Sequence, residues 1–370
     1  MKTLTFVALS ALFTTAATGA NAATCGCPLV PLEGSYKSAE GASLTLKYVD
    51  GTKDSCPTAI NLRGPRKGAK PVNVSLACTD GEWLGTEPSP LGAFSWMLTT
   101  PTDNNSPGLD MAETIAVTLS LPPKMKAVGK RDRAFEMSLT SKARAPACLC
   151  EDVRAEREHA ATMQKLFGNK QLQKMTEKLG LRGNKSTAKY YLDSKGQLQP
   201  FAKRSAGKYS YHDLVVASLS QQVKISDKGV TVDAPIEVAA EAAAKPRPKG
   251  QLQKGAAATT DPATCKINMP KAKEIAANCT PAVVLKAWHL HESHHRKICL
   301  RLRDKKVTTP DGKAQIVLND PLQLYKGDLM PTAAYSAYNQ LPSHIGQDEE
   351  AAYGSEIAVY DTWLKQYCPG

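Results

Sequence analysis

The chain has 370 residues, with 47 Lys and Arg against 35 Asp and Glu, a formal net charge of +12. Beyond an N-terminal stretch, nothing approaches the ~20 consecutive apolar residues that a bilayer crossing needs, so no transmembrane segment is expected. The basic residues are scattered over 63–70, 124–133, 245–254 and 296–306 without interleaved aromatics, which argues against a nucleic-acid binder and leaves only weak attraction to an anionic cell envelope.

Met1-Lys2 is followed by an apolar run over residues 6–13, then by small residues ending in Ala20-Asn21-Ala22. This pattern predicts a secretory signal over 1–22, cleaved after Ala22, and a periplasmic or secreted product. Ala23 and Thr24 before Cys25 do not form a lipoprotein box. The ten cysteines (Cys25, Cys27, Cys56, Cys78, Cys148, Cys150, Cys265, Cys279, Cys299 and Cys368) fit an exported, disulfide-bonded chain. Connectivity does not follow from the sequence, but the spacing suggests a division into six before residue 151 and four after 264.

Residues 23–150 read as a β-rich domain, a small sandwich or barrel closed by disulfides. Runs at 43–49, 72–78, 94–99, 114–121 and 135–140 carry β-branched and apolar residues, with turn-rich segments between them. Residues 151–238 read as a small α+β region. A charged helix over 151–182 carries Met163, Leu166, Phe167, Leu172, Met175 and Leu179 near helical spacing, with His159 on its solvated side. Hairpins are expected over 190–198 and 223–232, where Gly196 and Gly229 supply turns. Residues 239–260, rich in Ala, Lys, Pro and Gly, read as an exposed linker. Cleavage in it would make the front part a pro-segment or a targeting module. Residues 261–370 remain as a mainly helical C-terminal domain, so the fold class expected is α+β multidomain.

That last domain holds the chemistry. Thr280 suits an N-cap and Pro281 the first helical position. Val284, Trp288, His291, His295 and Ile298 then follow at helical spacing on one apolar stripe. His291-Glu292-Ser293-His294-His295 reads H-E-x-x-H. Residues four apart lie one turn above each other, so His291 and His295 can offer two imidazoles to one metal ion, with Glu292 beside them as a base. His289 and His294 point off that face.

A third ligand is offered by the last helix. Tyr353, Ile357, Tyr360, Leu364 and Tyr367 form its apolar stripe, and Glu349 extends that stripe by one turn. The segment Glu349-Glu350-Ala351-Ala352-Tyr353, with the H-E-x-x-H helix before it, resembles the gluzincin branch of the zincin metallopeptidases over roughly the last 110 residues. Gluzincins pair H-E-x-x-H with a Glu on a later helix, often in a Glu-x-x-Ala-[Asp/Tyr] setting. The resemblance implies a Zn2+ site formed by His291, His295 and Glu349, with Glu350 and Glu356 as rivals, and Glu292 as general base. It implies a hydrolase acting on peptide or envelope substrates. No third His follows in the metzincin spacing. His344, Tyr353 and Tyr335 are candidates for stabilising an oxyanion. A Cys299–Cys368 disulfide would clamp the two helices, and Cys265–Cys279 would close a loop ahead of the first. A metal-binding protein without catalysis, and a structural envelope protein, are the alternatives.

Overall fold

The computed structural model describes residues 4–5, 32–49, 57–64, 72–79, 82–99, 114–140, 143–184, 190–200, 209–219, 223–226, 229–232, 258–270, 282–303, 306–308, 311–312, 315–317, 324–325, 328–329 and 334–368. Cys25, Cys27, Cys56, Cys279, Thr280, Pro281, nearly all of the expected leader and most of the expected linker lie outside the described residues. The fold is mixed α+β: an N-terminal antiparallel barrel followed by a helical assembly.

The barrel has eight strands: β1 Gly34–Ser38, β2 Ser43–Tyr48, β3 Ala59–Gly64, β4 Val72–Thr79, β5 Glu82–Glu87, β6 Phe94–Thr99, β7 Thr114–Ser120 and β8 Arg133–Leu139. Each pairs with the next, and β1 closes the ring against β8 with Tyr36 opposite Leu139. Alternation explains the strands. In β4, Val72, Val74 and Leu76 turn inward while Asn73, Ser75 and Ala77 turn out. Tyr36, Leu46, Ile60, Leu62, Leu76, Trp83, Leu98 and Ile115 fill the interior, so the barrel is a packed core. The sequence runs foretell β2, β4, β6, β7 and β8 but not β1, β3 and β5. Gly85 shows why β5 is quiet. A Cβ there would lie 2.5 Å from the Ser75 carbonyl oxygen on β4, so close strand approach selects a residue that carries no strand signal. A short helix, α1 Pro123–Ala127, connects β7 to β8.

The helical assembly is built on α7 Pro342–Tyr367, which packs against α2 Ala147–Phe167 on one side and α5 Ala282–Leu302 on another. Val153 and Ala160 of α2, Val284, Ala287 and Trp288 of α5, and Tyr360, Trp363 and Tyr367 of α7 share one core. Leu32 and Ala145, which flank the barrel, belong to it too, and Ala145 N–H donates to the Tyr367 carbonyl at 3.0 Å. The helix expected over 151–182 starts earlier and breaks after Phe167. Asn169 caps the next helix, α3 Lys170–Lys178, accepting from Gln171 and Leu172 N–H. Gly168 stands at the break, where a Cβ would lie 3.0 Å from the Gln164 carbonyl oxygen. α4 Tyr211–Ala217 opens with a capping box between Ser210 and Asp213. α6 Ala334–Tyr338 precedes α7. His159 is exposed on α2. Both expected hairpins form, Tyr190–Leu192 with Leu198–Pro200 and Val223–Ser226 with Gly229–Val232. Leu4–Thr5 adds a strand to the second. Helices from 147–217 and from 282–367 thus interleave, so residues 261–370 do not stand apart from the middle region. Among the described residues no helix is long and apolar enough to cross a membrane.

Among the described residues the disulfides seen with both partners are Cys150–Cys368 and Cys265–Cys299, not the expected Cys299–Cys368 and Cys265–Cys279. Helix direction is the reason. α5 and α7 run antiparallel, since His291 meets Glu356 while His295 meets Asp348. Cys299 therefore lies level with the start of α7, and Cys368 is ~35 Å away along that helix at 1.5 Å per residue. A disulfide tolerates roughly 4–7 Å between Cα atoms. Cys150–Cys368 also crosses the expected division of the cysteines into two groups. Cys78 and Cys148 are disulfide-bonded as well, and no described cysteine is free.

Replacing Cys150 and Cys368 together with Ser removes a link across 218 residues. Stability should fall by about 2–5 kcal/mol, the usual range for losing a native disulfide, read as a lowered Tm in scanning calorimetry.

Candidate metal centre

Val283, Val284, Leu285, Ala287, Trp288, His291, Glu292, His295, Ile298, Cys299 and Leu302 are the buried residues of α5, so the apolar stripe does carry both imidazoles inward. His291 and His295 are 8 % and 6 % exposed, and their ring centroids are 4.7 Å apart. Antiparallel α7 delivers Glu349 to the same point. Its Oε2 lies 3.4 Å from His291 Nε2 and its Oε1 3.7 Å from His295 Nε2. One ligand atom from each of the three residues falls within 4.8 Å of the other two. Zinc–ligand bonds of about 2.0–2.1 Å in a tetrahedron put ligand atoms about 3.3 Å apart, so the set fits such an ion after a small contraction.

The other ring nitrogens are also engaged. His291 Nδ1 lies 2.6 Å from Glu356 Oε1, and His295 Nδ1 lies 3.1 Å from Asp348 Oδ1. These are ion-pair distances, close enough for the carboxylates to attract the charged rings from behind, but neither Nδ1 has a hydrogen bond aligned on it. Tyr335 O–H donates to Asp348 Oδ2 at 2.7 Å, and Tyr360 O–H donates to Glu356 Oε2 at 3.4 Å. The rivals for third ligand separate by position. Glu350 faces away, paired with Lys170 at 3.0 Å, and Glu356 stands behind His291. His294 Nε2 reaches Asp348 Oδ1 at 3.4 Å.

Charge follows the same geometry. Burial works against a charged His291, but Glu349 and Glu356 outweigh it and hold its pKa well above the histidine range. Burial opposes charge on His295 too, and Glu349 and Asp348 raise it. Burial would raise Glu349, yet His295 and His291 bring it down to about 2. In the metal-free state this is a buried ion cluster. Exchanging two imidazolium protons for one divalent ion leaves its net charge unchanged, which suits the donor set to that exchange.

Glu292 is 8 % exposed, and Thr260 O–H reaches its Oε2 at 2.7 Å and its main-chain carbonyl at 3.0 Å. Among the described residues Oε1 has no hydrogen-bond partner. Of the three oxyanion candidates, Tyr335 has its proton committed to Asp348. His344 stacks on Tyr338 at 4.1 Å with Nδ1 3.1 Å from the Tyr338 carbonyl, and is not brought to the cluster. Tyr353 remains, its ring edge-on to His291 at 4.7 Å. Burial and the charges of Glu349, Glu356 and Glu292 push its phenol well above the tyrosine range. Sequence reasoning missed Asp348, Thr260 and His212. Asp348 reads as an ordinary acid near a helix start, and Thr260 falls in what reads as linker but is a strand, Thr259–Thr260. His212 stands on α4 beside Phe167 at 5.7 Å, near Glu349, and nothing in the surrounding sequence marks it.

No family model matches the chain, and comparison with curated proteins and with solved structures gives no significant match.

The pH dependence of the metal-free protein has a definite sign. The imidazoles titrate above their ordinary 6.5, so their stabilising contribution is complete below 6.5 and is lost as pH rises through the folded values. Glu349 titrates at about 2 instead of 4.5, so its contribution is complete above 4.5 and is lost as pH falls toward 2. Calorimetry in chelator from pH 3 to 9 should show Tm falling on both sides of the 4.5–6.5 window, with the alkaline fall reduced in His295→Ala.

Proposed function

We propose that the chain is an exported zinc hydrolase, zincin-like in its C-terminal part, that cleaves peptide or peptidoglycan amide bonds. The observation that carries this reading is the convergence of His291, His295 and Glu349 within 4.8 Å, with Glu292 on the next position of the same helix. His291, His295 and Glu349 would hold the ion. Bound zinc supplies Lewis-acid polarisation of a carbonyl and makes a water more acidic. The chain's own groups do the rest. Asp348 and Glu356 back the rings at ion-pair distance from Nδ1. Glu292, with Oε1 open, accepts the proton of the attacking water and passes it to the leaving amine. Tyr353 stays protonated and can donate to the developing oxyanion.

Export is supported by the leader pattern of 1–22 and by disulfides that join distant parts of the chain. The net charge of +12 favours an anionic envelope surface, without a nucleic-acid partner. The low exposure of both rings favours a second reading, a metal-binding protein without catalysis.

Two variants separate these readings. Glu292→Gln should retain stoichiometric zinc by elemental analysis and lose hydrolysis of denatured casein by about 10²–10⁴-fold, the usual contribution of a positioned base. His295→Ala should lose the zinc itself. Zinc retained by the parent without hydrolysis of peptide or peptidoglycan supports the binding protein, and no zinc in the parent removes both readings.

A further inference from the structure

Among the described residues Thr260 carries the one hydroxyl that meets the Glu292 carboxylate, and several features of the fold place it there. It lies on a two-stranded hairpin in which Thr259 pairs with Asn268 and Thr260 with Ile267. Asp261 ties the turn, its Oδ1 accepting from Ala263 and Thr264 N–H at 2.8 Å and its carbonyl accepting from Cys265 N–H at 2.8 Å. Cys265 is then bonded to Cys299. Cys299 lies about two turns beyond Glu292, hence on the same face of α5. The hairpin is therefore laid along that face, with the covalent link at one end and the Thr260 hydroxyl at the other.

A glutamate has three rotatable side-chain bonds, and a general base works only if its oxygen is held within hydrogen-bond reach of the proton it takes. Thr260 O–H donates toward Oε2 at 2.7 Å and leaves Oε1 without a partner among the described residues. The same hydroxyl lies 3.0 Å from the Glu292 main-chain carbonyl, so it reads the helix backbone and the carboxylate together.

We infer that Thr260 is a positioning residue that fixes the Glu292 carboxylate with Oε1 presented to water. This rests on the hydrolase reading for its kinetic consequence but not for its geometry. The test compares Thr260→Val, which keeps the shape and removes the hydroxyl, with Thr260→Ser, which keeps the hydroxyl, in the full chain.

Thr260→Val should bind zinc stoichiometrically and keep KM, while kcat falls about 10- to 100-fold, the scale of one hydrogen bond to a charged group. Thr260→Ser should return kcat to near the parent value. In crystals of metal-free Thr260→Val, the Glu292 carboxylate should be displaced or in more than one conformer, and in Thr260→Ser it should be where the parent has it. Unchanged kcat in Thr260→Val overturns the inference, as does lost zinc or raised KM with kcat intact. If Thr260→Val does not fold, Thr260→Ala takes its place, and failure of both assigns Thr260 to the scaffold and overturns the inference. If the parent hydrolyses nothing, the hydrolase reading fails by itself. The crystal comparison then decides: a displaced carboxylate upholds the positioning role and an unmoved one ends it.

Discussion

Glu349 meets two imidazoles across the interface of α5 and α7, and keeping that contact out of water is the constraint that shapes the helical assembly. Desolvating an ion costs several kcal/mol even after relaxation, and removing one partner of a buried pair costs about 3–5 kcal/mol. The protein answers with layers. Asp348 and Glu356 take the outer ring nitrogens, and Tyr335 and Tyr360 in turn donate to those carboxylates. Tyr360 also belongs to the core in which Val153 and Ala160 of α2 meet Trp288 and Trp363, so α2 is tied to the helix that delivers Glu349 although it supplies none of the three converging side chains.

The barrel solves a different problem. Its interior is apolar and filled, with Tyr36 turning its hydroxyl to the Leu32 carbonyl at 2.8 Å. Leu32 belongs to the helical core and Tyr36 to the barrel core. The chain between them is short, and the Glu33–Arg144 bridge closes the exit from the barrel opposite it. The two cores are thus joined where the chain enters and leaves the barrel.

What was legible in the sequence was periodic. Helical spacing placed His291 and His295 inward, and extending the last helix's stripe by one turn reached Glu349. Alternation marked β2, β4, β6, β7 and β8, and missed β5, where Gly85 answers to close packing. What was not legible depended on how distant elements run past one another. Helix direction separated Cys299 from Cys368, and it set Glu356 behind His291. No local pattern reports that choice. Thr260 was hidden for a related reason: its neighbours in sequence are low in information, while its neighbours in space are Glu292 and, through the hairpin, Cys299.

The bond between Cys150 and Cys368 bears on what a nick in the polypeptide between residues 239 and 257 would do. The expectation of a pro-segment assumes that the front part can leave. A cut there would instead yield a two-chain molecule, with the barrel-bearing chain fastened covalently to the foot of α7 and α2 still packed against it. Its halves would migrate separately only after reduction. Maturation by such a cut would loosen the crossing between the halves without discarding either.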